Sequence, residues 1–172
     1  MAPYSNLIQF NTNLVDEIAL DDDLAKIKAC ISCGQCSASC PSGSFTALRT
    51  RAVIRKALFG VHKVLEDPDI WLCSTCFNCL EHCPRTIPVT EIILKLRQMA
   101  VRQGHLIDPL KGVINNLIHK GHAVPLDSKW SQLRLKLGLD ALPPTISKYP
   151  EVMKEITDIL SAIRFTTRIP FR

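Results

Sequence analysis

All eight cysteines of this chain fall into two copies of one spaced run. Cys30-x2-Cys33-x2-Cys36-x3-Cys40-Pro41 recurs as Cys73-x2-Cys76-x2-Cys79-x3-Cys83-Pro84, with a period of 43 residues from Cys30 to Cys73. Three cysteines at two-residue gaps let a tight loop wrap one face of an iron–sulfur cubane, each thiolate bonding a different iron. The fourth follows three residues later, where proline already turns the chain away. This is the bacterial-type [4Fe–4S] signature, and in two-cluster proteins the fourth cysteine ligates the other cluster. By that rule Cys30, Cys33, Cys36 and Cys83 hold one cluster, and Cys73, Cys76, Cys79 and Cys40 hold the second. Crossed ligation draws both clusters into one core. Electron tunnelling falls steeply with distance, so two adjacent clusters make a wire.

Two other uses of cysteine compete with this reading. A disulfide framework needs an oxidising compartment, and Met1-Ala2-Pro3-Tyr4-Ser5-Asn6 lacks the basic stretch and apolar run of a secretion signal. Zinc sites usually pair two C-x2-C knuckles, whereas each run here has three cysteines at equal steps. Two full copies, prolines included, favour iron and sulfide. No G-x-G-x-x-G or P-loop is present, and no ninth cysteine remains as a nucleophile or exchangeable dithiol. We therefore expect no catalytic residue in this chain, only carriage of electrons. Around the runs, Gly34 would let the backbone approach a cluster, and Trp71 would shield one from water. His82, beside Cys83, reads as a surface or packed histidine because all eight ligand positions are filled. Arg85 and Lys63 read as solvated charge or as docking and tuning groups.

The formal charge of +5 counts every cysteine as neutral. Eight thiolates and two oxidised cores of about +2 each bring the loaded protein to about +1, which removes most of the case for a nucleic-acid partner. The charge is also uneven. Residues 1–25 carry Asp16, Glu17, Asp21, Asp22 and Asp23 without Lys or Arg, while 49–56 carry Arg49, Arg51, Arg55 and Lys56 without an acid. Both stretches read as solvated surface or as docking patches of opposite sign. No apolar run approaches the ~20 residues that span a bilayer. The expectation is a soluble, cytoplasmic protein with no membrane contact.

Helical periodicity appears at 44–59, with Ser44 as N-cap and Gly60 as the stop. It appears again at 88–103, from Pro88 to Gly104, at 109–120, from Pro109 to Gly121, and at 150–163, from Pro150. Shorter turns are expected at 14–19, 22–29 and 130–137. Leu7-Ile8-Gln9-Phe10 is the one strand candidate, and no hairpin signal follows it. The fold class is therefore all-α, with cysteine loops set between helices as a duplicated loop–helix unit. Three regions follow: an acidic N-terminal extension over 1–28, a two-cluster ferredoxin domain over 29–105, and a helical partner-docking extension over 106–172.

Two such runs embedded in helices resemble the helical ferredoxin module of succinate, fumarate and anaerobic glycerol-3-phosphate dehydrogenases. Over roughly residues 7–105 the chain is most similar to the C-subunit family of the soluble heterodisulfide reductases of methanogenic archaea. The resemblance is carried by the chain's size, by Cys30-Ile31-Ser32-Cys33-Gly34-Gln35-Cys36 with Ser39-Cys40-Pro41, and by Leu72-Cys73-Ser74-Thr75-Cys76 continuing to His82-Cys83-Pro84. It implies two [4Fe–4S] clusters and an electron-relay role in methanogenesis. In that complex the flavin-containing A subunit receives electrons from a hydrogenase or formate dehydrogenase. The C subunit passes one branch to the catalytic B subunit, which reduces the coenzyme M–coenzyme B disulfide. The alternative is an iron–sulfur subunit of another oxidoreductase, either the related sulfur-oxidising complexes or the glycerol-3-phosphate and succinate dehydrogenase type. Succinate dehydrogenase subunits usually add a plant-type [2Fe–2S] domain, and the glycerol-3-phosphate kind fuses a Cys-Cys-Gly half. Neither is present here.

Overall fold

A computed structural model describes residues 13–125 and 127–168. The strand candidate at 7–10 lies outside the described residues. Among them there are helices and turns and no strand. The chain divides into two compact units, one ending at His105 and one beginning at Leu106.

The first unit opens with α1 (Asn13–Ile18), which buries Leu14 and Ile18, and a 3₁₀ turn at Leu24–Ala29, which buries Leu24 and Ile27. The short helices α2 (Gln35–Ala38) and α3 (Pro41–Phe45) carry the end of the first cysteine run. Next come α4 (Thr50–Leu58) and 3₁₀ turns at His62–Leu65 and Pro68–Leu72. One-turn α5 (Asn78–Glu81) and the long α6 (Val89–Arg102) complete the unit. The core lies between α4 and α6. Val53, Ile54 and Ala57 face it from one side, and Ile92, Ile93, Leu96, Met99 and Ala100 from the other. The α6 positions recur at three- and four-residue steps, so they form one apolar stripe. Each large side chain so buried contributes ~1.5–3 kcal/mol.

Glycine ends both core helices as expected. After α6, Gly104 adopts φ +87°, and the His105 and Gly104 N–H groups donate to the Ala100 and Val101 carbonyls. After α4, Gly60 adopts φ +65°, with Val61 N–H on Lys56 and Gly60 N–H on Ala57. Both are the double hydrogen-bond closure that a left-handed residue makes cheap.

The continuous helix expected over 44–59 does not form. It breaks at 46–49, and Ser44 lies inside α3 rather than capping a helix. Thr46 is extended (φ −132°, ψ 175°), and its hydroxyl donates back to the Ser42 carbonyl. Arg49 Nη1 satisfies the carbonyls freed by the break, donating to Gly43, Thr46 and Leu48 at 3.0–3.1 Å. The break also separates two apolar residues that a continuous helix would place on one face: Leu48 is 1% exposed, whereas Phe45 is 92% exposed.

The second unit contains α7 (Asp108–Lys120), α8 (Ser128–Lys136), a 3₁₀ turn at Ile146–Lys148, α9 (Pro150–Ala162) and α10 (Phe165–Arg168). Asp127 caps α8 by accepting from Trp130 N–H. Gly121 ends α7 at φ +62°, where a Cβ would lie 2.7 Å from Met153 Sδ. Within the unit, then, the end of α7 sits directly on α9. Leu133, Leu135, Leu137 and Leu139 remain substantially exposed.

Candidate metal centre

The two cysteine loops repeat in backbone as well as in sequence. Each begins after a 3₁₀ turn that stops one residue short of the first cysteine. The residues before the second cysteines are left-handed, Ser32 at φ +55° and Thr75 at φ +54°, and so are those after them, Gly34 at φ +90° and Phe77 at φ +63°. The third cysteines sit on α2 and α5, whose bounds are also 43 residues apart. Left-handed residues at this spacing curl the chain as in anion-binding nests. Three of the four are not glycine, and each such residue costs ~1–2 kcal/mol. Backbone strain held at matching positions of both loops marks them as sites built for a bound group. For Gly34 the left-handed φ is the constraint, since a Cβ there would meet nothing nearer than Arg51 at 3.6 Å.

Cys30, Cys33 and Cys36 line one cavity, and Cys83 of the second run stands in the same wall. The cavity holds about 410 Å³ not filled by atoms, open solvent included. Arg51 and Arg85 also line it, and among the described residues no carboxylate does. Ile87 N–H points at Cys83 Sγ, 3.4 Å away. Burial, together with the neighbouring thiols Cys30, Cys79 and Cys33, pushes the Cys36 thiol up to about 11. Crowded thiols resist ionising together unless a cationic core neutralises them. The helices that carry the two runs' third cysteines, α2 and α5, lie against each other.

Cys40 caps α3, its sulfur accepting from Gly43 N–H at 3.3 Å. Gly43 has to be small, because a Cβ would lie 2.9 Å from the Leu48 carbonyl oxygen. Ser42 Oγ donates to the Leu72 carbonyl at 2.6 Å and so staples the end of the first run to the start of the second. Cys79 is buried, with Thr90 Oγ1 3.3 Å from its sulfur. Burial raises its thiol, aided by Cys73 and Cys76 and opposed by the Thr90 contact. Arg97, on α6, reaches across to donate to the carbonyls of Ile70 at 2.9 Å and Cys73 at 2.6 Å. Its guanidinium also lies 5.6 Å from the Trp71 ring.

Sequence reading found the eight cysteines but missed Gly43, Thr90 and Arg97. Cys-Pro-Ser-Gly hinted at a tight turn around Gly43. The Thr90 and Arg97 contacts span 11 to 27 residues and leave no local signal. Of the residues flanking the runs, Trp71 is partly buried against the core. His82 is exposed, its Nδ1 2.9 Å from the Asn78 carbonyl, which can only accept; the histidine is locally satisfied. Lys63 is exposed, and Arg85 is exposed at the wall of the first cavity.

The donor set fits iron–sulfur clusters. All eight cysteines are free thiols, which leaves no disulfide framework. Among the described residues, no three His, Cys, Asp or Glu side chains are grouped to hold a single metal ion. The first-site sulfurs ring a cavity instead, and N–H or hydroxyl donors face three ligand sulfurs. The fold and the site therefore define a helical, two-cluster [4Fe–4S] electron-transfer protein.

Comparison with known proteins agrees. Residues 26–87 match the 4Fe-4S dicluster domain model. The chain is 44% identical over 139 residues to the C subunit of the ferredoxin:CoB-CoM heterodisulfide reductase of Methanosarcina mazei, covering 81% of this chain and 86% of the relative. It is 40% identical over 172 residues to the C 2 iron-sulfur subunit of the CoB–CoM heterodisulfide reductase of Methanocaldococcus jannaschii, covering 96% and 92%. It is 35% identical over 175 residues to the C subunit of the H(2):CoB-CoM heterodisulfide,ferredoxin reductase of Methanothermobacter marburgensis, covering 96% and 95%. The chain belongs to the family of heterodisulfide reductase C subunits, and it carries electrons through two [4Fe–4S] clusters within an oxidoreductase complex. No helix among the described residues is long and apolar enough to cross a membrane.

Proposed function

We propose that this chain relays electrons from a flavin-bearing A subunit to a catalytic B subunit that reduces the coenzyme M–coenzyme B disulfide, in the cytoplasm and in the service of methanogenesis. Cys30, Cys33, Cys36 and Cys83 ligate one cluster, and Cys73, Cys76, Cys79 and Cys40 ligate the other. The observation that carries this reading is the placement of Cys83 in the cavity wall with the first three cysteines of the other run. Crossing in that direction, with the Ser42–Leu72 staple, ties the two loops into one unit. A cubane normally stores one electron, so adjacent clusters make a path while a two-electron disulfide reduction needs chemistry elsewhere. Among the described residues, no thiol is left over from the two runs to bind the cleaved sulfurs. Every thiol is a ligand in this reading.

The donor upstream is a hydrogenase or formate dehydrogenase bound in a larger complex. Names of relatives mention ferredoxin, H(2) and, in Methanococcus maripaludis, H(2)/formate. Residues 106–172 form the partner-gripping extension. The half-exposed leucines of α8 and the loop after it leave apolar area for a partner to cover. Two experiments test the proposal. Cys83→Ser should chiefly perturb the cluster of Cys30, Cys33 and Cys36; spectra in which only the cluster of Cys73, Cys76 and Cys79 changes would overturn the crossing. The reduced holo-protein should reoxidise rapidly with the disulfide only when the B subunit is added. Catalytic reoxidation by the chain alone would place the chemistry here and end the relay reading.

A further inference from the structure

The two sites differ in what faces their sulfurs. At the first, among the described residues, one donor points at a ligand sulfur, Ile87 N–H on Cys83, and the nearby cations Arg51 and Arg85 are exposed. At the second, among the described residues, Gly43 N–H faces Cys40, and the Thr90 hydroxyl lies 3.3 Å from buried Cys79, whose ligating thiolate has no proton and can only accept. The second site also has a half-buried cation. Arg97 grips the Cys73 carbonyl at 2.6 Å, and its guanidinium faces two carbonyls and the Trp71 ring. Among the described residues no carboxylate pairs with it.

Reduction adds a negative charge to a cluster. Hydrogen bonds to the sulfurs and a nearby fixed cation stabilise that charge and raise the potential, while burial opposes it. Burial of Cys79 therefore works against the second site. The balance goes the other way on two grounds. Among the described residues, the second site has one more donor onto its sulfurs. Its cation acts through protein, where a charge counts about fourfold more than through water, whereas Arg51 and Arg85 act through solvent and salt.

We propose that Arg97 and Thr90 are potential-setting residues that make the second-run cluster the stronger electron acceptor, so electrons enter the chain at the first-run cluster and leave from the second. The step is a single-electron exchange: one cluster is oxidised by one electron, the other is reduced by one, and no bond or proton moves. A low-potential one-electron donor protein supplies the first site, and an oxidising partner drains the second. The assignment rests on the two-cluster relay reading above.

The test is an anaerobic redox titration of the full-length holo-protein, each cluster followed by its paramagnetic signal. Cys76→Ser identifies the second-run signal whichever run supplies its fourth ligand. An uncrossed result with Cys83→Ser would thus overturn the ligation while leaving this readout intact. The second-run cluster should titrate above the first. At the wild-type midpoint, Arg97→Gln should lower the second cluster's reduced-to-oxidised ratio about tenfold, ~59 mV for one electron, leaving the first in place. Arg97→Lys keeps the charge but loses the two-carbonyl grip, so it should retain most of the wild-type potential. Thr90→Val should shift the same signal downward by less, and it serves alone if Arg97→Gln loads poorly. A first-run cluster that titrates higher, equal shifts in Arg97→Gln and Arg97→Lys, or no shift in Arg97→Gln and Thr90→Val would each overturn the proposal.

Discussion

Asp67 shows how single residues brace the cysteine loops. It precedes the turn that leads into the second run, accepts from Asp69 N–H as the cap of that turn, and pairs with Lys56 of α4 at 2.6 Å. Burial pushes its carboxyl up, but the hydrogen bonds from Lys56 and Asp69 outweigh it, and the group sits below its ordinary 3.8. A carboxyl whose folded pKa is lowered contributes stability that is fully present above 3.8 and is lost as pH falls through the lowered value. Asp67→Asn keeps a capping oxygen and removes the charge, so it should cost about 1 kcal/mol at pH 7. Denaturant unfolding of both proteins should show that gap flat from pH 8 to pH 5. A gap that shrinks over this range would mean that the pair does not hold the carboxylate ionised.

At the scale of elements, the interrupted helix around 46–49 departs most from local expectation. Apolar spacing alone joins Phe45 to the buried face, but the fourth cysteine must turn inward just before it, and Pro41 opens a short separate helix. Gly43 and Arg49 then close that turn through contacts that a continuous helix would forbid. The two apolar positions should accordingly differ in their cost. Leu48→Ala should cost ~2–4 kcal/mol, since it empties a site sealed from water. Phe45→Ala should change stability by less than ~0.5 kcal/mol, since its side chain is already in solvent. Chemical denaturation of the two holo-protein variants measures the contrast. In the second half of the duplication no such interruption occurs, and α6 runs unbroken from Val89 to Arg102.

For the molecule as a whole, the first unit has a real apolar core, yet its cysteine loops are one-turn helices joined by left-handed residues. Helices of four residues do not persist unaided, and crowded thiols are held together only by what they bind. Chelation or oxidative loss of iron should therefore abolish the helical signal of residues 29–105 together with the visible absorbance. Circular dichroism and absorbance followed through one titration check this. A cooperative melt with full helicity in the iron-free protein would show that the core, and not the clusters, organises the unit.

The cysteine spacing by itself determined the cofactor type and the duplication, and helix periodicity determined the all-α class, because both are local and are written in neighbouring residues. Gly60, Gly104 and Gly121 likewise marked helix ends, since a left-handed closure needs only the residues beside it. Tertiary structure decided which groups surround each site. Cys83 lines the first-run cavity, Thr90 faces Cys79, and Arg97 reaches Cys73 from a helix that begins after the second run has ended. These contacts depend on how α6 lies across the core. Its register follows from the summed burial of Ile92, Ile93, Leu96, Met99 and Ala100 against partners distant in the chain, which no window of sequence contains.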